Sequence, residues 1–150
     1  MNTRFRSITA SILLGICSLA SAAQPAPAAL PSDSVYQLPV PLTDSAGVTR
    51  DWRALRGKAR VVSMFYTNCQ YICPLIVESG KAVERQLTPA QQKRVGVVLI
   101  SMDPARDDPA ALKKVKEQRK LDAARWTLAS PKPDDVRAVA GVLGVRYRQL

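Results

Sequence analysis

Three features of this 150-residue sequence predict an α/β fold built on a mainly parallel sheet. The runs "RVVSMFY" (60–66), "VGVVLISM" (95–102) and "RWTLAS" (125–130) are short and rich in β-branched and aromatic residues, as strands buried on both faces are. Amphipathic helical stretches lie between them, the spacing of βαβ units. Proline, glycine, threonine and aspartate mark the boundaries as caps and turns.

The elements follow in order. "VYQLPVPLT" (35–43) reads as an edge strand, because Pro39 and Pro41 cannot donate to a ladder. "DSAG" (44–47) is a turn, and "DWRALRGK" (51–58) holds one helical turn closed by Gly57 at the C′ position. After the strand at 60–66, a helix opens at Pro74, whose missing N–H costs nothing at the first helical position. Through 74–87 its predicted inner face is Ile76, Gly80, Val83 and Leu87. Thr88 before Pro89 is a second helix start. The strand at 95–102 is followed by a helix from Asp108-Pro109 to Leu121, a strand at 125–130 and a helix over 133–144 ending in Gly144. "VRYRQL" (145–150) begins another strand. A terminal strand with no cover is a liability, so a longer natural chain is expected.

The N-terminus points to export. Arg4 and Arg6 precede the apolar run "ITASILLGICSLA", and Ala20-Ser21-Ala22 supplies a small-residue cleavage site. Residues 1–22 are therefore expected to be a signal peptide, or an uncleaved anchor serving the same compartment; the apolar run is short for a membrane span. The Pro/Ala-rich segment 23–34 reads as a linker to a domain over 35–150. Without the two leader arginines the formal net charge of +10 falls to +8. A basic exported domain suits an anionic lipid surface or an acidic partner, with a solvated basic surface as the plainer reading. Nucleic acid is a poor fit, since no basic run is interleaved with aromatics. The run Lys113, Lys114, Lys116, Arg119 and Lys120 is read first as a solvated helix face.

Cleavage would remove Cys17 and leave Cys69 and Cys73, in "FYTNCQYICPLIV" (65–77), as the mature chain's cysteines. The pair stands where a buried strand turns into a helix, whose N–H groups and dipole favour thiolates. Three uses compete. A staple closing so small a loop restrains the unfolded chain little. Thiol–disulfide exchange is compatible with the position, although thioredoxin-type sites have two intervening residues rather than three. Metal binding favours soft Cu(I) over zinc, because zinc wants four ligands and the sequence has no histidine. The same absence excludes Ser/His and Cys/His catalysis within these residues.

"FYTNCQYICPLI" resembles the F-[YF]-T-x-C-x-x-x-C-P segment of the Sco/SenC family, thioredoxin-fold copper chaperones of cytochrome c oxidase assembly. "LRGKARVVSMFYT" is similar to the run that leads into that segment, and "SMDPARDDP" (101–109) to the family's S-x-D-P-x-x-D-x-P loop. "GVRYRQL" resembles the segment before the family's C-terminal part; Gln70 stands where the family often has Pro. The resemblance implies a thioredoxin-like fold, truncated here before its last strands and C-terminal helix. It implies that Cys69 and Cys73 bind copper, as Cu(I) and in some members Cu(II), with a third ligand from a histidine beyond Leu150. The implied partner is the copper-site subunit of cytochrome c oxidase or another copper chaperone, in the periplasm or at an inner membrane facing it. As an enzyme the chain would be a thiol–disulfide oxidoreductase that keeps a partner's copper-site cysteines reduced. In the 101–109 loop, Asp107 or Asp108 reads first as the cap of the helix at Pro109, and Asp103-Pro104 as turn chemistry. Trp52 and Trp126 read as core residues.

Overall fold

A computed structural model describes residues 29–147. The expected leader (1–22) and the first half of the expected linker (23–28) lie outside that range, as do residues 148–150. Among the described residues no helix is long and apolar enough to cross a membrane.

Five strands form one sheet: β1 (Pro41–Asp44), β2 (Thr49–Asp51), β3 (Ala59–Phe65), β4 (Val95–Ser101) and β5 (Trp126–Pro131), in the order β2-β1-β5-β4-β3. β3, β4 and β5 run parallel, as the alternation of patterns implies. β1 is antiparallel to both β2 and β5, so the sheet is mixed. α1 (Ile72–Gln86) and the short α2 (Pro89–Gln92) connect β3 to β4, α3 (Pro109–Gln118) connects β4 to β5, and α4 (Val136–Val142) follows β5.

β4 shows why its sequence is apolar at nearly every position. Val97 and Leu99 pack on one side with Phe65, Val77 and Cys73 of α1, Leu112 of α3 and Trp126. Val98 and Ile100 pack on the other with Leu42, Trp52, Met64 and the α4 residues Val136, Val139 and Ala140. Alternate side chains serve opposite cores, and the strand has no face left for water. Trp52 and Trp126 are each 1% exposed, one in each core, as expected of packing residues.

Four sequence expectations are corrected. Residues 35–37 form a 3-10 turn capped by Ser34, and the strand that follows is internal rather than an edge. Pro41 is its first residue and lies before the ladder with β5, which begins at Leu42, so no donor is missed. β2 carries no apolar signal, since Thr49, Arg50 and Asp51 are all exposed. Third, α1 begins two residues before Pro74, still within the first turn, where N–H groups have no intrahelical acceptor. Its buried stripe is Cys73, Val77 and Gly80; Ile76 is half-buried, Val83 is exposed, and Leu87 lies past the last turn. Finally, residues 145–147 are not a strand. The Val145 N–H donates to Ala140 O at 2.9 Å and the Gly144 N–H to Gly141 O at 3.2 Å, a Schellman closure of α4 with Gly144 at φ 67°.

α3 ends in the same way without a glycine. Leu121 N–H donates to Lys116 O and Lys120 N–H to Glu117 O, and Lys120 sits at φ 51°. A side chain in that left-handed region costs roughly 1–2 kcal/mol. Lys120→Gly is therefore expected to stabilise the protein by about 1 kcal/mol, read as a higher urea midpoint at unchanged slope. An unaltered midpoint would mean that the turn carries no strain.

Candidate metal and redox site

The three parallel strands end together, and the loops after them build the site, where open α/β sheets place their ligands. The loop after β3 carries Thr67 and Cys69, and Cys73 is the second residue of α1. The two predicted site residues are thus brought together, but in unlike surroundings. Cys69 is half-buried in the turn; Cys73 is buried against Val77, Phe65 and Leu99.

The turn is held by the backbone. The Cys69 N–H donates to Tyr66 O at 3.2 Å, and the Cys73 N–H donates to the Cys69 sulfur at 3.1 Å. Tyr71, at the N-cap of α1, makes no side-chain cap, so the Cys69 sulfur serves as acceptor for the opening turn. The Tyr66 N–H reaches the Cys73 sulfur at 3.5 Å.

These contacts split the two thiols. Burial alone would raise Cys69, but the Cys73 thiol, the N–H groups of Cys73 and Tyr71, and the Tyr66 hydroxyl all hydrogen-bond to it and bring it down to about 7. Cys73 is pushed up to about 12 by burial, and further by giving its hydrogen bond to Cys69. The Tyr66 phenol is raised in turn by its hydrogen bond to Cys69. The sequence argument from the helix start applied to both cysteines; the structure gives a stabilised thiolate to Cys69 alone, because Cys73 has turned into the core.

Phe65, Thr67, both cysteines, Val115 and Arg119 are among the residues around a cavity of about 60 Å³ at the sulfurs. Such a space holds an ion or one or two waters, not an organic substrate. The two sulfurs that line it are soft donors, which suit Cu(I) better than a hard cation. Among the described residues no third His, Cys, Asp or Glu joins the pair as a metal-binding group. Arg119 departs from the expected solvated face: it is half-buried against the cavity, while Lys113, Lys114 and Lys120 are exposed.

The 101–109 loop does two separate jobs. Asp108 is the N-cap of α3, accepting from the Ala111 N–H at 2.7 Å. Asp103 turns the loop, its carbonyl accepting from the Arg106 and Asp107 N–H groups. Asp107 is no cap. Its carboxylate is buried and accepts from the Thr67 N–H at 3.1 and 3.2 Å, the Thr67 hydroxyl at 2.5 Å and the Ser101 hydroxyl at 2.5 Å. The Ser130 hydroxyl donates to the Asp107 carbonyl at 2.5 Å, so one residue ties the ends of β3, β4 and β5 together. Sequence reasoning missed this link, since residues 67 and 107 are distant in the chain and an Asp before Asp-Pro reads as capping. It also missed Tyr66 and the exposed apolar rim of Tyr71, Ile72 and Leu75, which are 82%, 63% and 64% accessible.

A mixed five-stranded sheet, with a dithiol in the turn from a parallel strand into the next helix, makes this a thioredoxin-like α/β domain. The family described as SCO1/SenC matches residues 30–149, and the chain belongs to that family. It is 31% identical over 120 residues to a candidate copper-binding protein of Stutzerimonas stutzeri, covering 75% of this chain and 58% of that protein, so it spans little more than half of its relative's length. Among solved structures, Bradyrhizobium japonicum ScoI with copper bound superposes with TM-score 0.64 at 26% identity, covering 75% of this chain and 69% of that one. Yeast Sco1 with copper bound gives TM-score 0.62 at 24% identity, covering 73% and 59%, a likeness of fold.

Proposed function

We propose that this chain binds copper through Cys69 and Cys73 and delivers it to the copper site of a cytochrome c oxidase subunit, or exchanges it with another copper chaperone. The carrying observation is the convergence of both sulfurs on one ion-sized cavity at the strand ends. Membership of the SCO1/SenC family and likeness to a copper-bound ScoI support it. Cys69 and Cys73 hold Cu(I) as thiolates, so loading releases protons and fails once the pair is oxidised to a disulfide. The histidine expected beyond Leu150 would complete the ligand set, including for Cu(II). Tyr71, Ile72 and Leu75 stand exposed beside the sulfurs, where a partner's apolar surface can seat while ligands exchange. The reading includes export by residues 1–22 and work in the periplasm or at the inner membrane facing it.

The split between the thiols supports a second reading, thiol–disulfide exchange that keeps a partner's copper-site cysteines reduced. The Cys69 thiolate attacks a partner disulfide and forms a mixed disulfide. Cys73 then gives up its proton and displaces the partner, which leaves as a dithiol while Cys69 and Cys73 end oxidised.

Native mass spectrometry of the reduced protein supplied with Cu(I) separates the readings. One bound copper, lost in both Cys69→Ser and Cys73→Ser, is the expected result. Copper uptake unchanged in both variants would overturn the chaperone reading. Exchange with a disulfide substrate in a protein that takes up no copper would favour the second.

A further inference from the structure

Asp107 is 0% exposed, and among the described residues no Lys or Arg forms an ion pair with it. Burying an unpaired carboxylate is costly unless hydrogen bonds replace its water. Here they do: one N–H from Thr67 and two hydroxyls, from Thr67 and Ser101. Only an ionised carboxylate is acceptor-only on both oxygens; an amide in its place would turn an N–H₂ toward one of these donors.

The contacts run onward to the sulfurs. Thr67 follows Tyr66, whose carbonyl accepts the Cys69 N–H, and the Cys69 sulfur accepts the N–H of Cys73 at the start of α1. A loop 40 residues away in sequence therefore fixes the turn in which Cys69 sits.

We propose that Asp107 is the positioning residue of the dithiol: by locking Thr67 from both its backbone and its side chain, it holds the Cys69 sulfur against the first turn of α1. The metal part of this inference rests on the copper reading above. Asp107 touches neither sulfur and takes no part as a ligand. Groups that orient a metal's ligands typically change affinity by about 10–100-fold when removed.

The test uses Asp107→Asn, Thr67→Val and Thr67→Ser in the full chain. Three quantities are measured: the urea midpoint, the rate of Cys69 alkylation by iodoacetamide at pH 7, and Cu(I) affinity by competition with a chromophoric chelator. Asp107→Asn and Thr67→Val are each expected to slow alkylation several-fold and weaken Cu(I) binding about tenfold, with Thr67→Ser close to the parent protein in both. Thr67→Val keeps the Asp107 charge, so it separates position from electrostatics, and it decides the matter if Asp107→Asn does not fold. Variants that lose stability while alkylating at the parent rate in their folded state would overturn the proposal. Absence of copper uptake by the parent protein would sink the copper reading alone; the alkylation rates still decide whether Asp107 positions Cys69.

Discussion

At pH 7, iodoacetamide is expected to label Cys69 more than about a hundredfold faster than Cys73. The thiolate is the nucleophile, and the two sulfurs differ sharply in how much of it they present. With Cys69 brought down to about 7 and Cys73 pushed up to about 12, half of the first is ionised at neutral pH and almost none of the second. A more basic thiolate is intrinsically the better nucleophile, which recovers only about half of the difference on a logarithmic scale. Burial of Cys73 in the core, at 7% exposure, widens the gap again by limiting access. The pH dependence carries a definite sign. Cys69 labelling rises with pH, reaches half its plateau near pH 7, and falls about tenfold for each unit below pH 6. Peptide mapping by mass spectrometry after brief labelling reads both sites at once. Equal labelling, or a half-rise near the ordinary thiol value, would mean that the contacts around Cys69 do not persist in solution.

Gly80→Ala is expected to cost about 2 kcal/mol, a large effect for one methyl group on a helix. Alanine normally favours a helix over glycine by about 1 kcal/mol, so propensity predicts the opposite sign. Packing decides it. A Cβ on Gly80 would lie 2.5 Å from Cη2 and 3.1 Å from Cζ2 of Trp126. Trp126 is 1% exposed and cannot swing aside, being packed with Val77, Leu99, Leu112 and Leu128. α1 must then lift from the sheet, and that helix carries Cys73 at its start. Gly80→Ala should therefore also raise the exposure of Cys73 to labelling. A double-mutant cycle with Trp126→Leu tests the cause, since contacting residues are non-additive. Trp126→Leu alone is destabilising, but in its background Gly80→Ala should be neutral or favourable. A penalty of equal size in both backgrounds would show that the ring is not the obstacle.

Much of the fold was legible because it rests on short-range patterns. The runs at 60–66, 95–102 and 125–130 became β3, β4 and β5 within a residue or so, since a strand buried on both faces leaves a continuous apolar signature. Thr88 and Asp108 cap their helices as their side chains suggest, and Gly144 closes α4 at a positive φ. β2 gave no such signal: its three residues are exposed and join β1 through backbone pairing and polar side chains, the Thr49 hydroxyl with Thr43 and Arg50 with Asp44. The inner face of α1 was read correctly at Gly80, which Trp126 covers from 46 positions away, but not at Val83, which is exposed, or at Leu87, past the last turn. Cys73 and Val77, buried where the first turns meet the sheet, were left out of it.

The site divides along the same line. By itself the sequence determined that Cys69 and Cys73 share a strand-to-helix turn, that the family motif surrounds them, and that soft-metal or redox chemistry is the use open to them. Those are matters of residue type and local spacing. Only the tertiary structure decided that the two thiols are unequal and that Asp107 braces the turn from another loop. Burial and hydrogen-bond partners set a thiol's acidity, and both are created when the ends of β3, β4 and β5 come together.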